Sequence, residues 1–185
     1  QTYRELNIQL DPQNVHREVI MGSVGDFITK MEKETGLAFV PVKERYSAIN
    51  DTGKLMIRPI DHAAETLAFI RERCIPNYVF THRGTSSEII LKNIGLYDFF
   101  DEIVTGKDGF PRKPDPAAIR YLVGKYALDR SSCFYVGDRS LDIDCAVNAG
   151  IQSILYLPEN SAAKPTGRET YIIRDLAEIR DLIAG

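Results

Sequence analysis

The rhythm of apolar positions changes near Met56. Before it the spacing is helical. Residues 14–21 carry Val15, Val19 and Ile20 on one face, and residues 24–35 carry Phe27, Ile28 and Met31, with Gly36 as a stop. Residues 41–50 make a third, weaker helical stretch, and Asp51-Thr52-Gly53 reads as a turn. Residues 7–11 alternate as a strand would and end in Asp11, but Pro12-Gln13 follows, so the segment reads as a loop. From Arg58 onward short β-rich runs alternate with helical patterns. Helices are predicted at 59–73, 86–94, 116–126, 141–149 and 175–183, and strands at 78–81, 102–105, 133–136, 153–157 and 171–173. That alternation predicts an α/β fold: a Rossmann-like, doubly wound parallel sheet with helices on both faces. The expected organisation is a small helical subdomain over residues 1–57 and an α/β core over 58–185.

Composition narrows the class without changing this picture. At 185 residues, 44% hydrophobic and 26% charged, the chain has the make-up of an ordinary globular protein. A net charge of −3, spread along the chain, offers no basic footprint for nucleic acid or anionic membrane. No apolar run reaches the ~20 residues of a membrane span, and the polar start Gln1-Thr2-Tyr3-Arg4 does not read as a signal peptide. Cys74, Cys133 and Cys145 are scattered, with no Cys-x-x-Cys spacing, which argues against a disulfide framework or a zinc site. A reducing, cytoplasmic setting is expected, with the chain a monomer or homodimer.

In a doubly wound sheet, ligands bind beyond the carboxyl ends of the strands. Three sequence segments fall there. Thr81-His82-Arg83-Gly84 follows the first strand, Gly106 to Pro114 with Lys113 follows the second, and Gly137-Asp138-Arg139-Ser140-Leu141-Asp142 follows the third. They are spaced by about one βα unit each, so a hydroxyl, an ammonium and two carboxylates converge on one edge. The set suits a phosphate held by Thr81 and Lys113 beside a hard divalent cation on Asp138. Each residue also has a plainer role open to it. Thr81 can cap the next helix, Lys113 can be a partly exposed loop charge, and Asp138 and Asp142 can simply charge a helix start. Two carboxylates at i and i+4 repel, however, unless something positive sits between them.

The ordered set of strand–Thr81, Lys113-Pro114 and Gly137-Asp138-x-x-x-Asp142 resembles motifs two, three and four of the haloacid dehalogenase superfamily. The stretches 110–116 and 135–144, with Asn148-Ala149-Gly150-Ile151 after them, are similar to its phosphoglycolate-phosphatase-like branch. The resemblance implies a Mg²⁺-dependent phosphatase acting on a small phosphorylated metabolite through an aspartyl-phosphate. Asp138 would be a metal ligand, and Asp142 would support it directly or through water. Lys113 would stabilise phosphoryl charge and Thr81 would donate its hydroxyl. His82, where the family commonly has Asn, and Arg83 would face the substrate. Residues 1–57 would be the helical cap, whose turn Gly22-Ser23-Val24-Gly25 reads first as a plain helix-to-helix connection needing no ligand, with a reach toward substrate as the alternative. The family's first motif, a strand ending in Asp-x-Asp, has no match before Thr81, so the first core strand and its nucleophile are expected upstream of Gln1. Alternatives are a phosphosugar mutase of the same superfamily and a non-catalytic binding protein on this scaffold. A phospho-receiver domain would place its acids before the Thr and Lys, and a dinucleotide module would show Gly-x-Gly-x-x-Gly after a strand.

Overall fold

The computed structural model describes residues 1–21, 24–53, 57–84 and 86–184. The chain divides into two compact units, Gln1–Ile57 and Arg58–Gly185.

In the first unit the apolar stripes become helices α1 (Thr2–Glu5), α2 (Pro12–Met21), α3 (Val24–Thr35) and α4 (Phe39–Gly53). Their shared core is Tyr3, Phe27, Ile28, Met31 and Val42, with Tyr3 set edge-on to Phe27 at 5.9 Å. Gly36 ends α3 with φ +73°, a left-handed conformation that glycine adopts without the steric cost a Cβ would bring. Residues 7–11 form a loop, as the proline after them suggests, whose Ile8 and Leu10 turn in against this core. The short α1 was not expected from the sequence, because four residues are too few to show a period.

The second unit alternates α5 (Ala63–Glu72), β1 (Tyr78–Phe80), α6 (Ser86–Asn93), β2 (Glu102–Val104), α7 (Ala117–Lys125), β3 (Phe134–Gly137), α8 (Ser140–Ala149), β4 (Gln152–Tyr156), β5 (Tyr171–Ile173) and α9 (Ile179–Ala184). Every strand pairing is parallel. Ile154 packs with Ile70 of α5 and Ile179 of α9, while its neighbour Leu155 packs with Ile143 of α8. Alternating strand residues therefore bury opposite faces, and helices cover both. Phe80 and Val104 pack under Ile119 and Leu122 of α7.

Three expected elements are corrected. Asp51-Thr52-Gly53, expected as a turn, is the end of α4. The helix foreseen from Pro59 starts at Ala63, because His62 takes a left-handed φ of +60° and its ring pairs with Asp175 at 2.7 Å. The terminal helix is split. Asp175 and Glu178 form a reciprocal capping box around a 3₁₀ turn at Leu176–Glu178, and α9 begins after it.

The expected single sheet is also divided. Among the described residues β1 pairs only with β2, and β3–β4–β5 form a separate ladder. Between the two, the Tyr135 hydroxyl donates to the Phe80 carbonyl at 3.3 Å, so a side chain satisfies a backbone acceptor on the β1 side. Among the described residues no helix is long and apolar enough to cross a membrane.

Candidate active site

At the carboxyl end of β1, the Thr81 N–H donates to Val104 at 2.9 Å, extending the ladder by one bond. Its Oγ1 accepts the Arg83 N–H at 3.1 Å. With that lone pair taken by the backbone, the hydroxyl proton is left to donate elsewhere. Gly106 then donates its N–H to the Arg83 carbonyl at 3.0 Å, and a Cβ on Gly106 would collide with the His82 carbonyl oxygen. Glycine there lets the two strand-end loops lie against each other.

His82 turns toward the third segment. Its Nε2 accepts the backbone N–H of Lys113 at 2.8 Å, and its ring stands edge-on to Phe80 at 5.5 Å. Burial, together with the positive charges of Lys113, Arg112 and Arg139, pulls the imidazole down to about 4, so it is neutral near pH 7.

Lys113 does not behave as a loop charge. Its ammonium lies 2.8 Å from Asp142 Oδ1, with the two side chains only 6% and 4% exposed. The same nitrogen sits 4.8 Å from the Phe80 ring centroid and 5.3 Å from that of Tyr135. A buried ammonium needs such compensation, from a carboxylate and from ring faces, to remain charged. The other oxygen of Asp142 accepts the Arg139 N–H at 3.2 Å and so caps α8. A Cβ on Gly137 would overlap the Asp142 side chain, and its absence is what allows Asp142 to fold back. Burial and the Asp142 charge push the Tyr135 phenol up.

Asp138 differs from Asp142 in every respect. Its side chain is 71% exposed, and its nearest cation is Arg139 Nε at 3.8 Å. Arg139 also lies 3.7 Å from Asp142 Oδ2 and thus stands between the two carboxylates.

The structure therefore joins His82, Lys113 and Asp142 by direct bonds and sets Asp138 beside them through Arg139. Thr81 is adjacent through the chain. Arg83 contributes its backbone, while its side chain is exposed. Residues Gly22 and Ser23 of the proposed cap turn lie outside the described residues, and Val24 and Gly25 are the first turn of α3. Asp144 pairs with Arg168. Sequence reasoning missed Arg139, although the rule that i and i+4 carboxylates need a positive neighbour pointed to it. It also missed the burial of Lys113.

Among the described residues no group of three or more His, Cys, Asp or Glu side chains could hold a metal ion. Mg²⁺, however, often takes only one or two protein carboxylates and keeps its waters. Asp138, open to solvent, fits that demand, while each oxygen of Asp142 already accepts a hydrogen bond within the protein.

Residues 2–156 match the haloacid dehalogenase-like hydrolase family. Over 110 residues the chain is 32% identical to a phosphoglycolate phosphatase of Pectobacterium atrosepticum, covering 59% of this chain and 46% of that protein. The chain thus spans less than half the length of that relative. The core domain of a protein assigned as a phosphoglycolate phosphatase in Streptococcus pneumoniae TIGR4 is 38% identical, with a TM-score of 0.56 over 71% of this chain and 89% of its own. A protein from Haemophilus somnus 129PT, described as a predicted phosphoglycolate phosphatase, shares the fold over 98% of this chain and 87% of its own, with a TM-score of 0.85 at 22% identity.

Proposed function

The chain belongs to the haloacid dehalogenase-like hydrolases, and from that premise we propose that it serves a Mg²⁺-dependent phosphatase activity hydrolysing a small phosphomonoester through an aspartyl-phosphate. The observation that carries this reading is the Lys113–Asp142 pair, buried at the carboxyl edge of the sheet. A fixed ammonium costs its desolvation when the fold is made, and it then meets developing phosphoryl charge without reorganising.

Each residue has a task. The Thr81 hydroxyl donates to a phosphoryl oxygen, and Lys113 offsets charge on the phosphoryl group. Asp142 holds the Lys113 ammonium in aim. Asp138 is the ligand this chain gives to Mg²⁺, which when bound supplies positive charge to the phosphoryl oxygens. With Asp138 given to the metal it would hold and Asp142 to Lys113, the phosphoryl acceptor is read as a third carboxylate. It belongs on a strand ending in Asp-x-Asp, seated between β1 and β3. There its first carboxylate attacks phosphorus and the ester oxygen leaves. The second protonates that oxygen and then deprotonates the water that cleaves the acyl phosphate. The separation of the ladder into β1–β2 and β3–β4–β5 supports that seat. The helical unit is read as a cap subdomain, and the unpaired thiols Cys74, Cys133 and Cys145 as those of a cytoplasmic protein.

Anion binding by the chain itself tests the phosphate site. Inorganic phosphate or tungstate, titrated with Mg²⁺, is expected to bind, with affinity reduced in Thr81→Val and with its Mg²⁺ dependence lost in Asp138→Asn. Equal, Mg²⁺-dependent affinity in the wild type and both variants would remove the assignment.

A further inference from the structure

We propose that His82 is a positioning residue for Lys113: its neutral imidazole clamps the Lys113 main chain, and its side chain does not read the substrate. This rests on the reading of Lys113 as a phosphate-binding group and adds what holds that group in place.

The geometry decides which form of the ring is present. A backbone N–H can only donate, so the nitrogen that receives Lys113 N–H at 2.8 Å must carry a lone pair. Nε2 is therefore unprotonated, and the neutral ring keeps its proton on Nδ1. The nitrogen with which His82 would hydrogen-bond a ligand from its ring tip is already occupied by the protein.

The clamp is itself held. The His82 carbonyl is pressed by Gly106, whose missing Cβ allows the approach, and the ring leans on Phe80. Phe80 is also one of the two rings under the Lys113 ammonium. One residue of β1 thus touches both the clamp and the charge it positions. His82 fixes the main chain of Lys113 at one end, and Asp142 fixes the ammonium at the other. A long side chain anchored at both ends loses most of the rotamer freedom that would blur its aim. Surrounding positive charge from Lys113, Arg112 and Arg139 also opposes a second proton on the ring, so the acceptor persists at neutral pH.

Three substitutions separate this role from others. Glutamine places its amide oxygen where Nε2 stands; asparagine places one only as far out as Nδ1; alanine places none. Long-range ¹⁵N imidazole spectra of the wild-type chain near pH 7 are expected to show the Nδ1–H tautomer. Hydrogen exchange at the Lys113 amide is expected to be slow in wild type and His82→Gln, and about tenfold or more faster in His82→Asn and His82→Ala. Inorganic phosphate affinity should follow the same order, with His82→Gln near wild type. An Nε2–H tautomer, or unchanged Lys113 exchange in His82→Ala, would overturn the proposal. So would asparagine rescuing as well as glutamine. The tautomer is read on the wild type, so a variant that fails to fold leaves the proposal falsifiable. If the exchange pattern holds while the wild type binds no phosphate, the clamp stands and the phosphate reading of Lys113 falls.

Discussion

Two lysine–carboxylate pairs in the α/β unit share an N···O separation of 2.8 Å. One is Lys113–Asp142 at the carboxyl edge of the sheet; the other is Lys125–Glu102 at the amino end of β2. The first pair is 6% and 4% exposed, the second 45% and 20%. Around Glu102, burial opposes ionisation, but hydrogen bonds from Lys125, Tyr126 and Tyr121 outweigh it and hold the carboxyl below its ordinary range. Water and flexible side chains share that site, so loss of the lysine leaves the carboxylate solvated. At Asp142 water does not replace the lysine, and only Arg139 remains, its N–H at 3.2 Å and its Nε at 3.7 Å. Bond length is the same in both places; burial determines what breaking the bond costs, and only the buried pair occupies the edge where the loops of the strand ends meet.

The sharpest way to break this comparison is to delete each lysine. Lys113→Met is expected to cost about 3–5 kcal/mol, since it strips a buried carboxylate of its close ammonium and leaves it only Arg139, 3.7 Å away, and to lower the melting temperature by about 6–20 °C for a chain of this size. Adding Asp142→Leu should restore part of that loss, because the double variant buries no lone charge. Calorimetric melts of the single and double variants measure both effects. Equal melts for the two would mean that Asp142 is not stranded by loss of the lysine. This exceeds what a partly exposed loop lysine would give, roughly 1 kcal/mol at most, and burial is the reason.

Gly137→Ala acts on the same carboxylate from behind. Its Cβ would overlap Asp142, so either the side chain or the start of α8 must shift. Overpacking of this kind costs about 1–3 kcal/mol. Denaturant midpoints would show it, and a neutral outcome would mean that Asp142 has room to move.

A smaller effect comes from pH. His82 is held near 4 in the folded chain, below its ordinary value of 6.5. The unfolded chain therefore binds the proton first as pH falls. The contribution of neutral His82 is complete above about pH 6.5, declines as pH drops through that range, and is lost by about pH 4. Melting temperature followed from pH 7 to 4 should fall more steeply for wild type than for His82→Gln. Parallel profiles would show that His82 titrates normally.

The least effect is expected from Lys125→Met. Its melting temperature should stay close to wild type, and the remaining difference should vanish in high salt, as exposed pairs are screened. A loss as large as that of Lys113→Met would collapse the comparison.

Helix and strand identity in the α/β unit was legible because β-branched and aromatic runs alternate with helical spacing, and proline and glycine mark the joints. Boundaries drifted where a side chain from far away intervened, as Asp175 does in holding His62 ahead of α5. The candidate site was legible as an order of residues: Thr81 and Asp138 stand just after β1 and β3, Lys113 lies in the loop after β2, and Asp142 lies in the first turn of α8. Its internal wiring was not. Lys113 becomes buried because Phe80 and Tyr135, from different strands, lie beneath it, and no local pattern announces that. His82 looked like a substrate contact because it follows the strand-end threonine. Its partner, the Lys113 N–H, is a backbone group that sequence cannot point at anything. The division of the ladder was likewise hidden, since strand propensity says nothing about which edges meet.

The central claim is that this edge performs phosphoryl transfer once an acceptor carboxylate stands between β1 and β3. Joining the chain at its N-terminus to an apolar strand ending in Asp-x-Asp, and following p-nitrophenyl phosphate hydrolysis with Mg²⁺, tests it most directly. The account predicts Mg²⁺-dependent turnover that disappears when the first Asp of that strand becomes Asn and when Asp138 becomes Asn. Equal turnover by the 185-residue chain alone, or turnover indifferent to both carboxylates, would contradict it and make Asp11 the next residue to replace.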